Sequence, residues 1–147
     1  MITLLEINKA VNNKVKSALA GCFDYDIPLV AEDLSEHIIR PSIKVIAENM
    51  SSGKFNSMCK EQTITYRVYF FPKDSRRPKF ENMKVKEAVC NEFINDLIVT
   101  PEFIIPIEEL EFEVSDGVLI CSFDLYTVEL LPDNDTSELM EDLNFNA

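Results

Sequence analysis

The sequence predicts an α+β fold, in which a mostly antiparallel sheet is packed by two main helices. Two segments repeat apolar residues at spacings of three and four, which one face of a helix requires. Other segments alternate apolar and polar residues, as strands with one buried face do, and turn residues separate them. The order is helix, strands, helix, strands and an acidic tail, and 147 residues are enough for one domain with a sizeable core.

The first helix is predicted from about Leu4 to Ala20. Thr3 and Glu6 match a capping box, in which the hydroxyl accepts an early helical amide and the carboxylate accepts the amide of the cap residue. Gly21 is a natural stop at the other end. The buried face is predicted to carry the apolar residues Ile7, Val11, Val15, Ala18 and Leu19.

The chain then predicts short strands and connections. Residues 27–31 favour a short strand, and residues 32–39 favour a loop or a single helical turn that Pro41 ends. Ser42 to Glu48 alternates and predicts a half-buried strand. Residues 49–59 are polar and contain a glycine, so we expect a long, mobile connection there.

Thr63 to Phe71 is the clearest strand pattern in the chain. Pro72 closes it, and a basic loop that begins and ends with proline follows. One face of the strand is predicted to carry Ile64, Tyr66, Val68 and Phe70.

A second helix is predicted from about Phe80 to Ile98, with Pro101 just past its end. Its buried stripe is predicted to comprise Phe80, Met83, Ala88, Val89, Phe93 and Leu97. Strands return after it, because Leu110, Phe112 and Val114 alternate with Glu109, Glu111 and Glu113. Asp116-Gly117 predicts a hairpin turn, and Val118 to Leu130 predicts a long strand in the centre of its sheet.

The folded unit is predicted to comprise residues 1–131, with residues 132–147 as an acidic C-terminal tail or docking segment. Residues 133–147 carry five acids and no base. Leu139, Met140, Leu143 and Phe145 could form one short amphipathic helix, which is marginal in water on its own. We therefore expect Leu139, Leu143 and Phe145 to dock onto a partner, in cis or in trans.

Charge is distributed unevenly along the chain. All fourteen Lys and Arg lie within residues 1–86, beside ten Asp and Glu, whereas residues 87–147 hold sixteen Asp and Glu and no base. A basic half and an acidic half favour head-to-tail association. The low isoelectric point argues against nonspecific binding to nucleic acid.

The sequence lacks the residue patterns that metal sites, phosphate-binding loops and nucleophilic catalysis require. The four cysteines are widely spaced and the chain has one histidine, His37, which we expect to be an exposed turn residue. Zinc, phosphate-loop and nucleophile–base motifs are absent from the sequence, so we predict no enzyme, metal or cofactor, and reduced structural thiols. No apolar run could span a membrane and no signal peptide is visible, so we expect a cytoplasmic protein.

Three groups of charged residues are candidate interfaces. Arg40 follows an acidic stretch and could pair with a neighbouring subunit, or locally with Asp33 or Glu36. The loop that contains Arg76 and Arg77 could dock on an acidic surface or be simply solvated. The third group, Glu109, Glu111 and Glu113, could be a solvated face, an anionic ring interface or lumen, or a cation site.

The pattern as a whole resembles the tail terminator (tail completion) proteins of Firmicutes phages and phage-like particles. The resemblance covers roughly residues 1–131 and is carried by Glu32 to Ile43, Tyr66 to Phe71 and Asp116 to Leu125. It implies an α/β sheet packed by helices, and a structural role without catalysis.

The resemblance further implies a ring, usually a hexamer, at the head-proximal end of a tail tube. Such a ring ends tube polymerisation and offers a surface for joining a head or closing the particle. Its partners would be further copies of the chain, the tube protein, and a sheath or head-joining protein. A head–tail connector, or a small assembly chaperone or binding module of the same particle, is the alternative.

Overall fold

The computed structural model describes residues 2–30 and 39–131. A four-stranded antiparallel sheet has the order β1-β2-β6-β5, and a two-stranded sheet pairs β3 with β4, so the predicted α+β class is confirmed. The elements in chain order are α1 (Leu4–Leu19), β1 (Ser42–Lys54), β2 (Cys59–Phe71), α2 (Lys79–Phe93), β3 (Leu97–Thr100), β4 (Phe103–Ile105), β5 (Glu111–Ser115) and β6 (Val118–Leu130).

Helix α1 begins and ends where the sequence predicts. The Thr3 hydroxyl accepts a hydrogen bond from the Glu6 amide at 3.1 Å, and the Glu6 carboxylate accepts one from the Thr3 amide at 2.8 Å. Gly21 follows the helix with a φ of +76°, which glycine adopts readily. The buried residues of the helix are Ile7, Val11, Val15 and Leu19, as predicted, whereas Ala18 is only partly buried.

The core lies between the helices and one face of the large sheet. Every second residue is buried from Gln62 to Phe70 in β2 and from Leu119 to Thr127 in β6. The two strands pair so that Tyr66 lies opposite Phe123. Phe93 of α2 packs edge-on against Phe123, with ring centroids 5.2 Å apart. The Tyr66 hydroxyl donates to Asn8 of α1 at 3.3 Å, so both helices cover the same face of the sheet. Among residues 2–30 and 39–131, neither helix covers the opposite face of the sheet.

Residues 49–59 are not the long connection that the sequence predicts. β1 continues to Lys54 and β2 begins at Cys59, so the two strands form a hairpin that extends past the core. The turn is closed by Asn56, whose side-chain oxygen accepts the amides of Met58 and Cys59 at 2.8 Å each. The prediction was wrong because both faces of this arm are exposed, so backbone pairing holds it without any alternation in the side chains.

The predicted strand at residues 27–31 is a single parallel bridge between Leu29 and Ile43 in the described structure. Val30 donates to the Ile43 carbonyl at 2.8 Å, and Ile43 donates to the Pro28 carbonyl at 2.9 Å. Residues 31–38, which include His37 and most of the predicted turn, lie outside the described residues.

Helix α2 differs from the prediction in length and in orientation. It ends at Phe93, and Leu97, although buried, belongs to β3. Phe80 and Met83 are exposed by 75% and 54%, so the predicted stripe was wrong at both positions. The buried residues are Asn82, Val85, Val89 and Phe93. The prediction failed because α2 carries apolar residues on two faces, and only one of these faces packs on the core.

The acidic strand is shorter than predicted and lies at an edge of the sheet. β5 pairs only with β6, and Glu109 and Leu110 precede it. Val114 is 55% exposed, because a short edge strand near the end of a sheet has few neighbours to cover it. By contrast, β6 lies between β2 and β5, as the prediction of a central strand requires.

The turn between β5 and β6 has the conformation that Asp-Gly predicts. Asp116 has a φ of +51° and Gly117 a φ of +78°. A Cβ atom on Gly117 would lie 3.3 Å from Cγ of Pro78. A side chain at this position would therefore be strained by the positive φ and crowded by Pro78. We expect Gly117→Ala to lower the free energy of unfolding by about 1–2 kcal/mol.

Urea unfolding followed by circular dichroism measures this loss. Gly53→Ala is the matched control, because a Cβ atom there meets nothing within 4 Å and φ is not positive. A change at Gly117→Ala no larger than that at Gly53→Ala would contradict the assigned strain.

Candidate assembly surfaces

The open face of the sheet carries an acidic cleft of about 520 Å³ between β2, β6 and the segment that leads into β5. Its acidic lining residues are Glu108, Glu109, Glu111 and Asp124. Arg67 also lines it and forms an ion pair with Glu48 of β1. The cleft therefore presents a net anionic surface.

The three predicted glutamates share this side of the sheet but not one site. Glu109 and Glu111 line the cleft, with Glu111 opposite Ser122, whereas Glu113 lies opposite Ile120 and outside the cleft lining. Within residues 2–30 and 39–131, no three His, Cys, Asp or Glu side chains are placed to hold a metal ion. The arrangement suits recognition of a cationic surface by charge.

Two side-chain hydrogen bonds join β2 and β6 across the open face. The Thr65 hydroxyl donates to Asp124 at 2.6 Å, and the Tyr126 hydroxyl donates to Glu61. The bond to Glu61 raises the pKa of Tyr126 above its ordinary value, because the carboxylate accepts the phenolic proton. These bonds orient polar groups along the cleft.

The basic loop after β2 is fixed by backbone hydrogen bonds that leave its arginine side chains exposed. Asp74 accepts the amides of Arg76 at 3.0 Å and Arg77 at 3.3 Å, which folds the loop into an Asx turn. Glu81 of α2 accepts the amides of Lys73 at 2.7 Å and Asp74 at 3.0 Å. The loop thus presents Arg76 and Arg77 to solvent from a fixed backbone.

Tyr25 completes the attachment of this loop. Its hydroxyl donates to Glu81 at 2.9 Å, and the ammonium of Lys73 lies 4.6 Å from its ring centroid. Partial burial, together with the hydrogen bond to Glu81, raises the pKa of Tyr25 to about 12. Because the pKa of Tyr25 in the folded protein lies above its ordinary value near 10, the protonated hydroxyl stabilises the fold fully below about pH 10. This contribution to the free energy of unfolding is lost as the pH rises toward 12.

Glu81→Gln tests this attachment. The amide keeps one acceptor but turns a donor toward the loop amides, so we expect a loss of about 1–3 kcal/mol in unfolding free energy. The pKa of Tyr25, followed by phenolate absorbance, should fall toward its ordinary value. Glu92→Gln is the control, because the Glu92 carboxylate lies 3.8 Å from Lys14 and accepts no backbone amide of the described residues. Equal effects of the two substitutions would contradict the role given to Glu81.

Arg40 anchors the chain before β1. Its guanidinium donates to the carbonyl of Pro72 at 3.2 Å, which ties the start of β1 to the end of β2. Asp33 and Glu36, its predicted local partners, lie outside the described residues. The predicted contact of Arg40 with a neighbouring subunit stays a prediction.

A third surface was not recognised from the sequence. The outer face of α2 exposes Phe80, Met83 and Cys90. Ile94, the cap residue just past the helix, continues this face and is 80% exposed. These positions are spaced by three, seven and four residues, which places them along one side of a helix. That spacing could have revealed the surface, but the core residues of α2 share the same period.

The four cysteines are free, as predicted for reduced thiols, but their surroundings differ. Cys121 is buried, and burial raises its pKa to about 12, so this thiol is held protonated. Cys90 is exposed, so its thiol does not have the structural role predicted for all four cysteines. The tail residues Leu139, Leu143 and Phe145 lie outside the described residues.

Comparison with known proteins identifies the family. The sequence model of the phage tail terminator protein family matches residues 6–137. Because this match covers most of the chain, the chain belongs to the phage tail terminator family, and its role is that of a structural protein of the phage tail. None of the curated proteins compared with the chain matches it. Neither described helix is long and apolar enough to cross a lipid bilayer.

Proposed function

We propose that the chain assembles as a ring, with six copies as the expected number, at the head-proximal end of a tail tube. The ring stops tube polymerisation and provides the surface on which a head is joined or the particle is closed. Membership of the tail terminator family carries this proposal. Assembly would take place in the bacterial cytoplasm, before the ring becomes part of the virion or phage-like particle.

The separation of charge on the protomer supports association between unlike surfaces. The basic loop lies near Gly117, at the end of the sheet where β6 begins, since Pro78 is close to that glycine. The acidic cleft lies on the open sheet face beside Ser122 and Asp124, farther along β6. Contact between two different patches of identical protomers generates a ring when the rotation closes.

We further propose that the basic loop of one protomer faces an acidic surface of the next protomer or of the adjoining layer. Arg76 and Arg77 project from a loop whose backbone is already fixed, so little further ordering of the loop is needed on binding. Glu109 and Glu111 in the cleft form one acidic surface that could receive them, and Glu113 extends it along β5.

Deletion of the gene from the producing strain tests the function. We expect tail tubes of uncontrolled length or unfinished particles, because nothing then ends polymerisation. Complementation by the intact gene should restore a narrow length distribution, which electron microscopy measures directly. Complete particles of normal length from the deletion strain would contradict the proposal.

The alternative, a head–tail connector or an assembly chaperone, predicts a different composition of the finished particle. A terminator ring remains at one end of each purified tube, whereas a chaperone is absent from finished particles. A connector remains bound, but its loss leaves tube length unchanged. Quantifying the protein in purified particles, together with tube length, separates the three.

A further inference from the structure

We propose that residues 133–147 of one copy bind the outer face of α2 of a neighbouring copy. The receiving surface, called here the α2 patch, consists of Phe80, Met83, Glu87, Cys90 and Ile94. This inference rests on the self-association proposed above and names one of its contacts. The tail residues Leu139, Leu143 and Phe145 lie beyond the family match, which ends at residue 137.

The α2 patch is an apolar surface on a helix whose opposite side already fills the core. Phe80 and Ile94 are 75% and 80% exposed, and Met83 is 54% exposed. Val85 and Val89, on the other side of the helix, are almost fully buried. Large apolar side chains grouped on an exposed face are typical of an interaction site.

Charge indicates what binds there. The α2 patch contains one exposed acid, Glu87, and is flanked by five exposed cations, which are Arg76, Arg77, Lys79, Lys84 and Lys86. Glu81, an acid of this region, already accepts hydrogen bonds from the loop amides. A complementary ligand therefore has large apolar groups among acids, and residues 133–147 supply five acids, no base and four large apolar residues.

The reach of the chain limits which residues of the tail can meet the start of the α2 patch within one copy. Asn82, beside Met83, donates to the Gly117 carbonyl at 3.1 Å, so the start of the α2 patch lies where β6 begins. The tail leaves from Leu131, at the far end of β6, and the 13 residues of that strand span about 40 Å. Leu139 is eight residues beyond Leu131 and can extend at most about 29 Å from it. A fully extended tail therefore falls short of placing Leu139 against Met83 of the same copy, and this pairing needs a second copy. Leu143 and Phe145 are far enough along the tail to reach the α2 patch of their own copy, so the test below includes docking in cis.

The proposed contact agrees with the uneven distribution of charge along the chain. A contact between the basic start of α2 and the acidic tail joins unlike ends, which is the arrangement that closes a ring or stacks two layers. It would also be sensitive to salt, since the flanking cations are exposed and screened by ions.

Disulfide trapping between two full-length variants tests the contact. One variant carries Glu87→Cys and the other Met140→Cys, and both carry Cys90→Ser. The two are mixed at the concentration used for assembly and treated with a mild oxidant. We expect a disulfide-linked dimer that contains one copy of each variant. In the control, Asn13→Cys, at an exposed position of α1, replaces Glu87→Cys. This control should give at least fivefold less cross-linked product.

Two further variants test whether the cross-link requires the α2 patch itself. Phe80→Glu added to the Glu87→Cys variant should reduce the cross-linked product at least fivefold. Leu5→Glu, at an equally exposed apolar position on α1, should leave the yield unchanged. Absence of the mixed dimer, or equal yields with the control cysteine, would overturn the inference.

A chain that carries both Glu87→Cys and Met140→Cys is tested at low concentration to detect docking in cis. An internal disulfide in this monomer would also overturn the inference. The result is independent of tube capping, because the cross-link is measured on the purified protein. A failed cross-link with normal termination would reject only this contact, whereas a mixed dimer with uncontrolled tubes would reject only the capping role.

Discussion

Replacing Arg76 and Arg77 together with Glu is expected to weaken assembly at least tenfold. Each replacement changes the charge by two units, and like charges brought together at an interface cost several kcal/mol. Both side chains are exposed, and only their backbone amides take part in the bonds to Asp74, so the protomer should fold normally. Sedimentation velocity at low and high salt measures the shift, which should be largest at low salt.

A matched control is available on the first helix. Lys9 and Lys16 are exposed on α1, and their double replacement by Glu makes the same change in net charge. If assembly depends on the basic loop, this control should weaken it much less than the loop variant does. Equal loss in both variants would show that net charge alone controls association, and unchanged assembly of the loop variant at low salt would show that the loop is only solvated surface.

Phe123→Ala should cause a large loss of stability, because its side chain lies in the core. The side chain is 3% exposed and packs between Tyr66, at 5.9 Å between ring centroids, and Phe93, at 5.2 Å. Truncation leaves a cavity where both helices meet the sheet, so we expect a loss of about 3–5 kcal/mol in unfolding free energy.

Urea unfolding measures this loss, with Val128→Ala as the control. Val128 lies on the open face of the same strand and is 38% exposed, so its truncation should cost less than about 1 kcal/mol. Similar midpoints for the two variants would contradict the placement of the core on the helix-covered face.

The sequence predicts those parts of the fold in which one buried face alternates with one exposed face. α1, β2 and β6 meet this condition, because each lays a single face on the core. Their predicted positions agree with the structure, except that β2 begins at Cys59 and not at Thr63. The Asp116-Gly117 turn was equally predictable, since its positive φ angles favour those two residue types.

The errors occur where that condition fails. The arm from Met50 to Lys54 is exposed on both faces and is held by pairing with β2, which leaves no side-chain signal. α2 has two apolar faces with the same period, so Phe80 and Met83 were placed in the core although they face solvent. Burial depends on neighbours distant in sequence, and periodicity within α2 cannot distinguish its two faces.

The candidate surfaces were predicted only as charged sequence groups. Arg76 and Arg77 could be recognised as a basic loop, but its attachment through Asp74 and Glu81 depends on the fold. Glu109 and Glu111 were grouped by alternation, whereas Asp124 joins them in the cleft only because β5 and β6 pair. No pattern in the sequence relates positions in such separate segments.

Electron microscopy of tubes grown from purified tube protein, with and without this protein, tests the central claim most directly. The account predicts a ring, with six copies expected, at one end of each tube and an end to growth at that end once the ring is present. Binding along the sides of the tubes, or continued growth from the end that carries the protein, would contradict it.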